Sequence, residues 1–359
     1  MVTRKLRCFR EGNLVMQLRI SSSSCMVHLV HPVFDTSGRS VYPNNHETMT
    51  DDPRLGDIIT HEEPVGQKPA AVALLGFPYD EGVSRNGGRT GAREGPSTLR
   101  TLYKRMGTVV NPEYDIDLRT IGVHDVGDID PDHPLEEAHS RLRARVSNLL
   151  SIKGVVPFVV GGGNDQSFPN GSALIESCEG QSVGVINIDA HLDVRPLKEG
   201  KTHSGSPFRQ LMEESGLEPQ RFVEFAAQGN QCSATHVKYL TEKGGKIHWL
   251  SSLRSSDRPV VQVFREIIDH LGDNIFVSFD IDAISGADCP GVSAVGTIGI
   301  TAQEALDICY AAGRHPKVRL FDLSEYNPQV EAYRTGRLVA NMFYFFSMGL
   351  AQRIKDGNK

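Results

Sequence analysis

From residue 70 onward the chain alternates short apolar runs with longer stretches whose apolar positions recur every three to four residues. The runs at 71–77, 155–160, 183–189, 222–227, 247–250, 275–279 and 320–323 predict strands. Several are continuous Val/Ile/Phe runs with no polar alternation, as required of strands buried on both faces of a parallel sheet. Between them, 135–150 and 302–312 are amphipathic and predict helices. Strands alternating with helices predict an α/β fold, a three-layer α/β/α sandwich with a central parallel sheet. No Pro/Gly-rich linker divides residues 70–352, so 51–359 is read as a single domain.

The first fifty residues have another character. Residues 1–20 are rich in Arg and Lys with Glu11 as the one acid, and Ser21 to Ser24 follow. This is an N-terminal extension, disordered or targeting. A cytoplasmic protein whose translation starts near Met49 is the favoured reading, and a mitochondrial transit segment is the alternative.

Chemistry collects just after the predicted strands. Asp189, His191 and Asp193 form D-x-H-x-D at the end of one run, and Asp280 and Asp282 form D-x-D at the end of another. Gly161, Gly162 and Gly163 precede Asn164 at a third, and Ser324 to Pro328 follow a fourth. In open parallel sheets ligands bind beyond the carboxyl ends of the strands, so the four segments converge on one rim. Alternate residues of an extended segment share a face, which brings the three D-x-H-x-D side chains together. The same spacing pairs Asp280 with Asp282 and sends Ile281 into the core. Three ionisable groups at one buried strand end are costly without a cation. A carboxylate-rich set with one imidazole suits Mn, Fe, Co or Zn and leans toward Mn.

Composition narrows the partners. The net charge of -6 and the lack of a basic stripe beyond the N-terminus argue against nucleic acid. No apolar run is long enough for a membrane span. Six scattered cysteines without a C-x-x-C read as reduced thiols. Cys232 and Cys289, both after strands that feed the rim, are candidates for a redox effect on the metal loops.

With these motifs the chain resembles the ureohydrolase superfamily of arginases, agmatinases and formiminoglutamases, over roughly residue 74 to the C-terminus. The formiminoglutamase branch is favoured by RNGGRTGA at 85–92, DAHLDVRP at 189–196, SGSPFRQ at 204–210, PGVSA at 290–294, DLSEYNP at 322–328 and RTGRL at 334–338. The resemblance implies an arginase-like fold and two Mn2+ ions, with Asp189 and Asp280 bridging both. His191 and Asp282 would complete one ion, and Asp193 and Asn164 the other. The family has His at the position of Asn164. A neutral amide oxygen is a poorer donor, so one ion is expected to bind weakly.

The resemblance also implies hydrolysis of N-formimino-L-glutamate to L-glutamate and formamide, a step of histidine degradation. Hydroxide generated at the metal pair would attack the amidine carbon. Glu325 would pair with the amidinium, Asp193 would pass a proton to the leaving amine, and His203 would act as proton shuttle. Arg195, two residues beyond Asp193, is a candidate clamp for a substrate carboxylate, since guanidinium binds carboxylate in bidentate fashion. Arg89 is a second. Agmatine has no carboxylate, so Arg195 argues against an agmatinase. A guanidino-acid hydrolase, or a catalytically silent homologue created by Asn164, are the alternatives. A homo-oligomer, trimer or hexamer, follows from the resemblance alone.

Overall fold

The inner strands of the sheet are buried on both faces. In the computed structural model, which describes residues 51–357, eight strands form one sheet. They are β1 (Ala71–Phe77), β2 (Gly122–Asp128), β3 (Val155–Gly161), β4 (Val183–Ile188), β5 (Phe222–Ala227), β6 (Lys246–Trp249), β7 (Asn274–Asp280) and β8 (Val318–Ser324). The spatial order is β2-β1-β3-β8-β7-β4-β5-β6, and every pairing is parallel.

Successive side chains of each strand divide between two apolar cores. Val72 and Leu74 of β1, with Phe158 of β3 and Phe321 of β8, pack on one face. Helices α2 (Gly95–Tyr103), α7 (Val260–Leu271), α8 (Ala302–Arg314) and α9 (Tyr333–Lys355) cover that face. Ala71, Ala73 and Leu75, with Val159 and Phe276, face α3 (Leu135–Ser151), α4 (Ser167–Ser177), α5 (Pro207–Glu214) and α6 (Ala234–Glu242) on the other. The helix α1 (Glu81–Arg85) lies after β1. Right-handed crossovers require helices between parallel neighbours, and the three-layer sandwich expected from the alternation is what forms. Pro53–Lys359 groups as one compact unit; the expectation of an N-terminal extension over 1–50 lies outside the described residues.

Two elements differ from the sequence reading. The strand β2 was not anticipated, since its sequence Gly-Val-His-Asp-Val-Gly-Asp is polar. It tolerates this as an edge strand. Its Asp125 is buried and accepts from Arg100 Nε (2.8 Å) and the Tyr103 hydroxyl (2.7 Å), both on α2. A two-stranded hairpin, Val110–Asn111 with Ile116–Asp117, was also missed because its strands are only two residues long. Among the described residues no helix is long and apolar enough to cross a membrane.

Candidate metal centre

The ends of β3, β4, β7 and β8 deliver the predicted groups to one rim. β4 stops at Ile188, and Asp189 keeps one last sheet bond, N–H to the Phe225 carbonyl at 3.0 Å. The chain then leaves the extended conformation, so the three D-x-H-x-D side chains converge through a loop and not along one strand face. Asp189 Oδ1 accepts the His191 backbone N–H (2.7 Å) and lies 3.2 Å from His191 Nδ1. Asp193 has φ 45°, a left-handed conformation that costs a non-glycine residue about 1–3 kcal/mol. At β7, Asp280 Oδ1 accepts the Asp282 N–H at 3.0 Å, and the turn buries Ile281 completely. After β8, Glu325 has φ 66°, its N–H donating to the Gly162 carbonyl at 2.7 Å. Two strained backbones in one rim mark a site that the surrounding packing holds in place.

Two groups of donor atoms, each within 4.8 Å of one another, result: Asp189, His191 and Asp282, and Asp189, Asp193 and Asp280. Asp189 belongs to both, as the bridging role requires; Asp280 joins only the second. The electrostatics call for cations. Burial pushes Asp193 up to about 8, with the charge of Asp189 adding, and Asp282 up to about 6. Burial, and then the charge of Asp282, hold Asp280 and Glu325 well above the usual carboxylate range. Burial also acts to raise Asp189, but hydrogen bonding and charge from His191 outweigh it and leave this carboxyl low. The charge of Asp282 raises His191 far above its ordinary value, against burial. Asp282 Oδ1 is buried without a hydrogen-bond partner. A pair of divalent cations neutralises this cluster and satisfies that oxygen, so the residues fit the implied metals.

Asn164 lies where the sixth ligand was expected, with a particular orientation. Its Oδ1 accepts from the hydroxyls of Ser167 (2.8 Å) and Ser324 (3.1 Å), while Nδ2 donates to Asp193 Oδ2 (2.9 Å). The carboxamide thus presents an N–H to the cluster. Ligation through Oδ1 requires the amide to turn over and give up both serine bonds.

The cluster opens into a cavity of about 180 Å³ lined by His191, Asp193, Asp280, Asp282, Glu325 and Arg195, with Asn86, Ser204 and Ser293 on its walls. Arg195 is exposed at the mouth. Two expectations are corrected. Arg89 does not line this cavity: its Nε and Nη2 donate to the Ser293 carbonyl (3.0 and 2.7 Å), and Nη2 also to that of Val292 (3.2 Å), so it tethers the 292–293 loop. His203 has both ring nitrogens engaged by backbone, Nε2 with the Pro196 carbonyl (3.0 Å) and Nδ1 accepting from Gly205 N–H (3.2 Å). Burial lowers its pKa, and the side chain holds a loop outside the cavity lining. The two rim cysteines differ in exposure, Cys232 being half-buried and Cys289 enclosed. Cys289 is fully buried, and burial raises both thiols, Cys232 to about 11. Cys232 Sγ donates to the Ala190 carbonyl at 3.6 Å as a packing residue.

Sequence reasoning missed a buried carboxyl behind the centre. Glu224 of β5 accepts from Asn187 Nδ2 at 3.1 and 3.2 Å, and the same nitrogen reaches Asp189 Oδ2 at 3.2 Å. Burial, with the charge of Asp189 adding, holds Glu224 well above the usual carboxylate range. A Glu inside the apolar run 222–227 was the one available signal.

Comparison with known proteins agrees with this architecture. The arginase family model matches residues 70–348. Formimidoylglutamase of Klebsiella pneumoniae is 31% identical over 264 residues, covering 73% of this chain and 80% of that protein. The formimidoylglutamase of Aeromonas salmonicida is 32% identical over 284 residues, 78% of this chain and 87% of that protein. The crystal structure of Trypanosoma cruzi formiminoglutamase with Mn2+ is 46% identical, with a TM-score of 0.79 over 84% of this chain and all of that one. From the ligand spacing, the sheet order and these matches, the chain belongs to the arginase family.

Proposed function

We propose that this protein hydrolyses N-formimino-L-glutamate to L-glutamate and formamide, with two Mn2+ ions held by Asp189, His191, Asp193, Asp280 and Asp282. The observation that carries the reading is one small cavity combining a cation-demanding carboxylate cluster, a separate acid in Glu325 and a cationic mouth in Arg195. The relatives named formimidoylglutamase, and the T. cruzi enzyme solved with Mn2+, support the same substrate and metal.

When bound, the metal pair lowers the pKa of water and supplies hydroxide at neutral pH. The chain's own groups do the rest. Arg195 binds a substrate carboxylate at the mouth, which leaves the amidinium at the depth of Glu325. The Glu325 carboxylate pairs with that cation and holds its carbon toward the cluster. We assign to Asp193 the transfer of a proton to the leaving nitrogen, supported by its place in the cavity lining beside Asp280 and Glu325. Cleavage of the bond between the amidine carbon and the glutamate nitrogen then releases formamide. A guanidino-acid hydrolase would use the same carboxylate clamp; a substrate panel separates the two. A homo-oligomer, trimer or hexamer, remains part of this proposal.

The serine-held carboxamide of Asn164 supports weak binding of the ion next to Asp193, since ligation costs two hydrogen bonds of about 1 kcal/mol each. A T. cruzi formiminoglutamase variant with asparagine replaced by histidine has also been solved with Mn2+, at 46% identity and TM-score 0.80. The test is glutamate release from formiminoglutamate across a manganese titration, with Asn164→His alongside. Activity that rises with Mn2+, and saturates at lower Mn2+ in the variant, is the expected result. No glutamate from either protein at any Mn2+ level sinks the assignment.

A further inference from the structure

Arg195 is exposed, and a long exposed guanidinium costs side-chain entropy to fix, up to about 2 kcal/mol. A clamp that discriminates carboxylates needs that cost met before substrate arrives. Around Arg195 two segments, the end of α1 and the 195–205 loop, close a ring.

Asn86 is its centre. Its Oδ1 accepts from Arg195 Nη1 at 3.2 Å, and its Nδ2 donates to the Ser204 hydroxyl at 3.1 Å. On the far side the Arg195 backbone N–H donates to the Gly205 carbonyl at 2.8 Å. The arginine stem lies directly on Gly205: a Cβ there would meet Arg195 Cδ at 2.9 Å and Asn86 Nδ2 at 3.1 Å. Asn86 is itself fixed, capping α1 through its N–H to the Gly82 carbonyl (3.1 Å). The Ser204 N–H donates to that same carbonyl, also at 3.1 Å. Arg85, the next residue back, anchors the group by ion pairs to Glu81 and Glu136 and by a hydrogen bond to the Thr202 carbonyl (3.1 Å). The hydrogen-bond partners of Arg195 are thus tied to α1 or to the 202–205 loop.

We propose that Asn86 is a positioning residue for substrate selection: it holds the Arg195 guanidinium against the cavity mouth, so that a carboxylate-bearing amidine is chosen over one without a carboxylate. This rests on the formiminoglutamate reading given above. Asn86 carries no charge, so it orients the guanidinium without competing for it, as an Asp in its place would.

The test compares wild type, Asn86→Ala, Arg195→Ala and the double variant, all Mn2+-loaded. Two readouts are used. One is the ratio of kcat/KM for formiminoglutamate to that for N-propylformamidine, which has the reacting group and no carboxylate. The other is the Kd of L-glutamate, by calorimetry. Asn86→Ala is expected to lower the selectivity ratio about tenfold, through KM for formiminoglutamate, and to weaken glutamate binding about tenfold. Adding it to Arg195→Ala should change neither readout further, because the group it positions is gone. Equal losses on both substrates, equal glutamate affinities across the proteins, or full multiplication of the two effects would each overturn the proposal. Wild type that binds glutamate but turns over no formiminoglutamate would instead sink the substrate assignment, and the glutamate affinities alone would then decide the role of Asn86.

Discussion

Replacing Glu325 by Gln isolates the charge that the amidinium is proposed to meet. The side chain lies at the floor of the cavity, is 6% exposed, and its Oε1 accepts the Asn164 backbone N–H at 3.3 Å. A Gln oxygen keeps that bond and the shape, and the left-handed backbone at 325 is held by its own N–H bond to Gly162 in either case. Only the anion is lost. Two unit charges about 4 Å apart interact by about 4 kcal/mol at an effective dielectric of about 20. The cation's hydration in free solution offsets part of this, leaving about 2–3 kcal/mol for a hydrogen bond to a charged group. That corresponds to a loss of roughly 30- to 150-fold in kcat/KM for formiminoglutamate. The assay is steady-state glutamate release at saturating Mn2+, with bound Mn2+ measured on the same samples. A loss below about threefold at equal metal content would refute the pairing role. A large loss that tracks missing metal would show that Glu325 acts on the cluster and not on substrate.

Two further outcomes test the scaffold of the site. A Cβ on Gly162 would lie 1.9 Å from the Tyr79 carbonyl oxygen and 2.7 Å from its carbon, both backbone, in the loop whose carbonyl holds Glu325. Gly162→Ala should therefore cost about 1–3 kcal/mol in urea unfolding and reduce activity together; wild-type stability with wild-type activity would show that the loop yields freely. Asp125→Asn should cost toward the lower end of the about 3–5 kcal/mol of a broken buried pair, since Arg100 keeps Asp128. Burial acts to raise Asp125, but bonds from Arg100 and Tyr103 outweigh it and leave it depressed. Its contribution is then present above the ordinary Asp pKa of about 3.9 and lost as pH falls through the folded value. The stability gap between wild type and variant should close on acidification below about pH 4, and a gap that persists there would refute the ionic origin.

What the sequence determined was whatever depends on neighbours a few residues away. Continuous apolar runs at 155–160 and 275–279 could only be strands covered on both faces, and Asp189, His191, Asp193, Asp280 and Asp282 stood out because charges at such strand ends need a cation. The polar edge strand Gly122–Asp128 was illegible because its Asp125 is balanced by Arg100, which lies on another element. The roles of single polar side chains were decided by tertiary structure alone. Arg89 and Arg195 look equally like clamps in the sequence, yet Arg89 is spent on carbonyls 203 and 204 residues away, while Arg195 is held at the cavity by Asn86, 109 residues away. His203 lost its expected part to the Pro196 carbonyl, and Asn164 turned its oxygen to Ser324 on a different strand. Periodicity follows from local backbone geometry, but a hydrogen bond goes to whichever donor or acceptor the fold brings within about 3 Å.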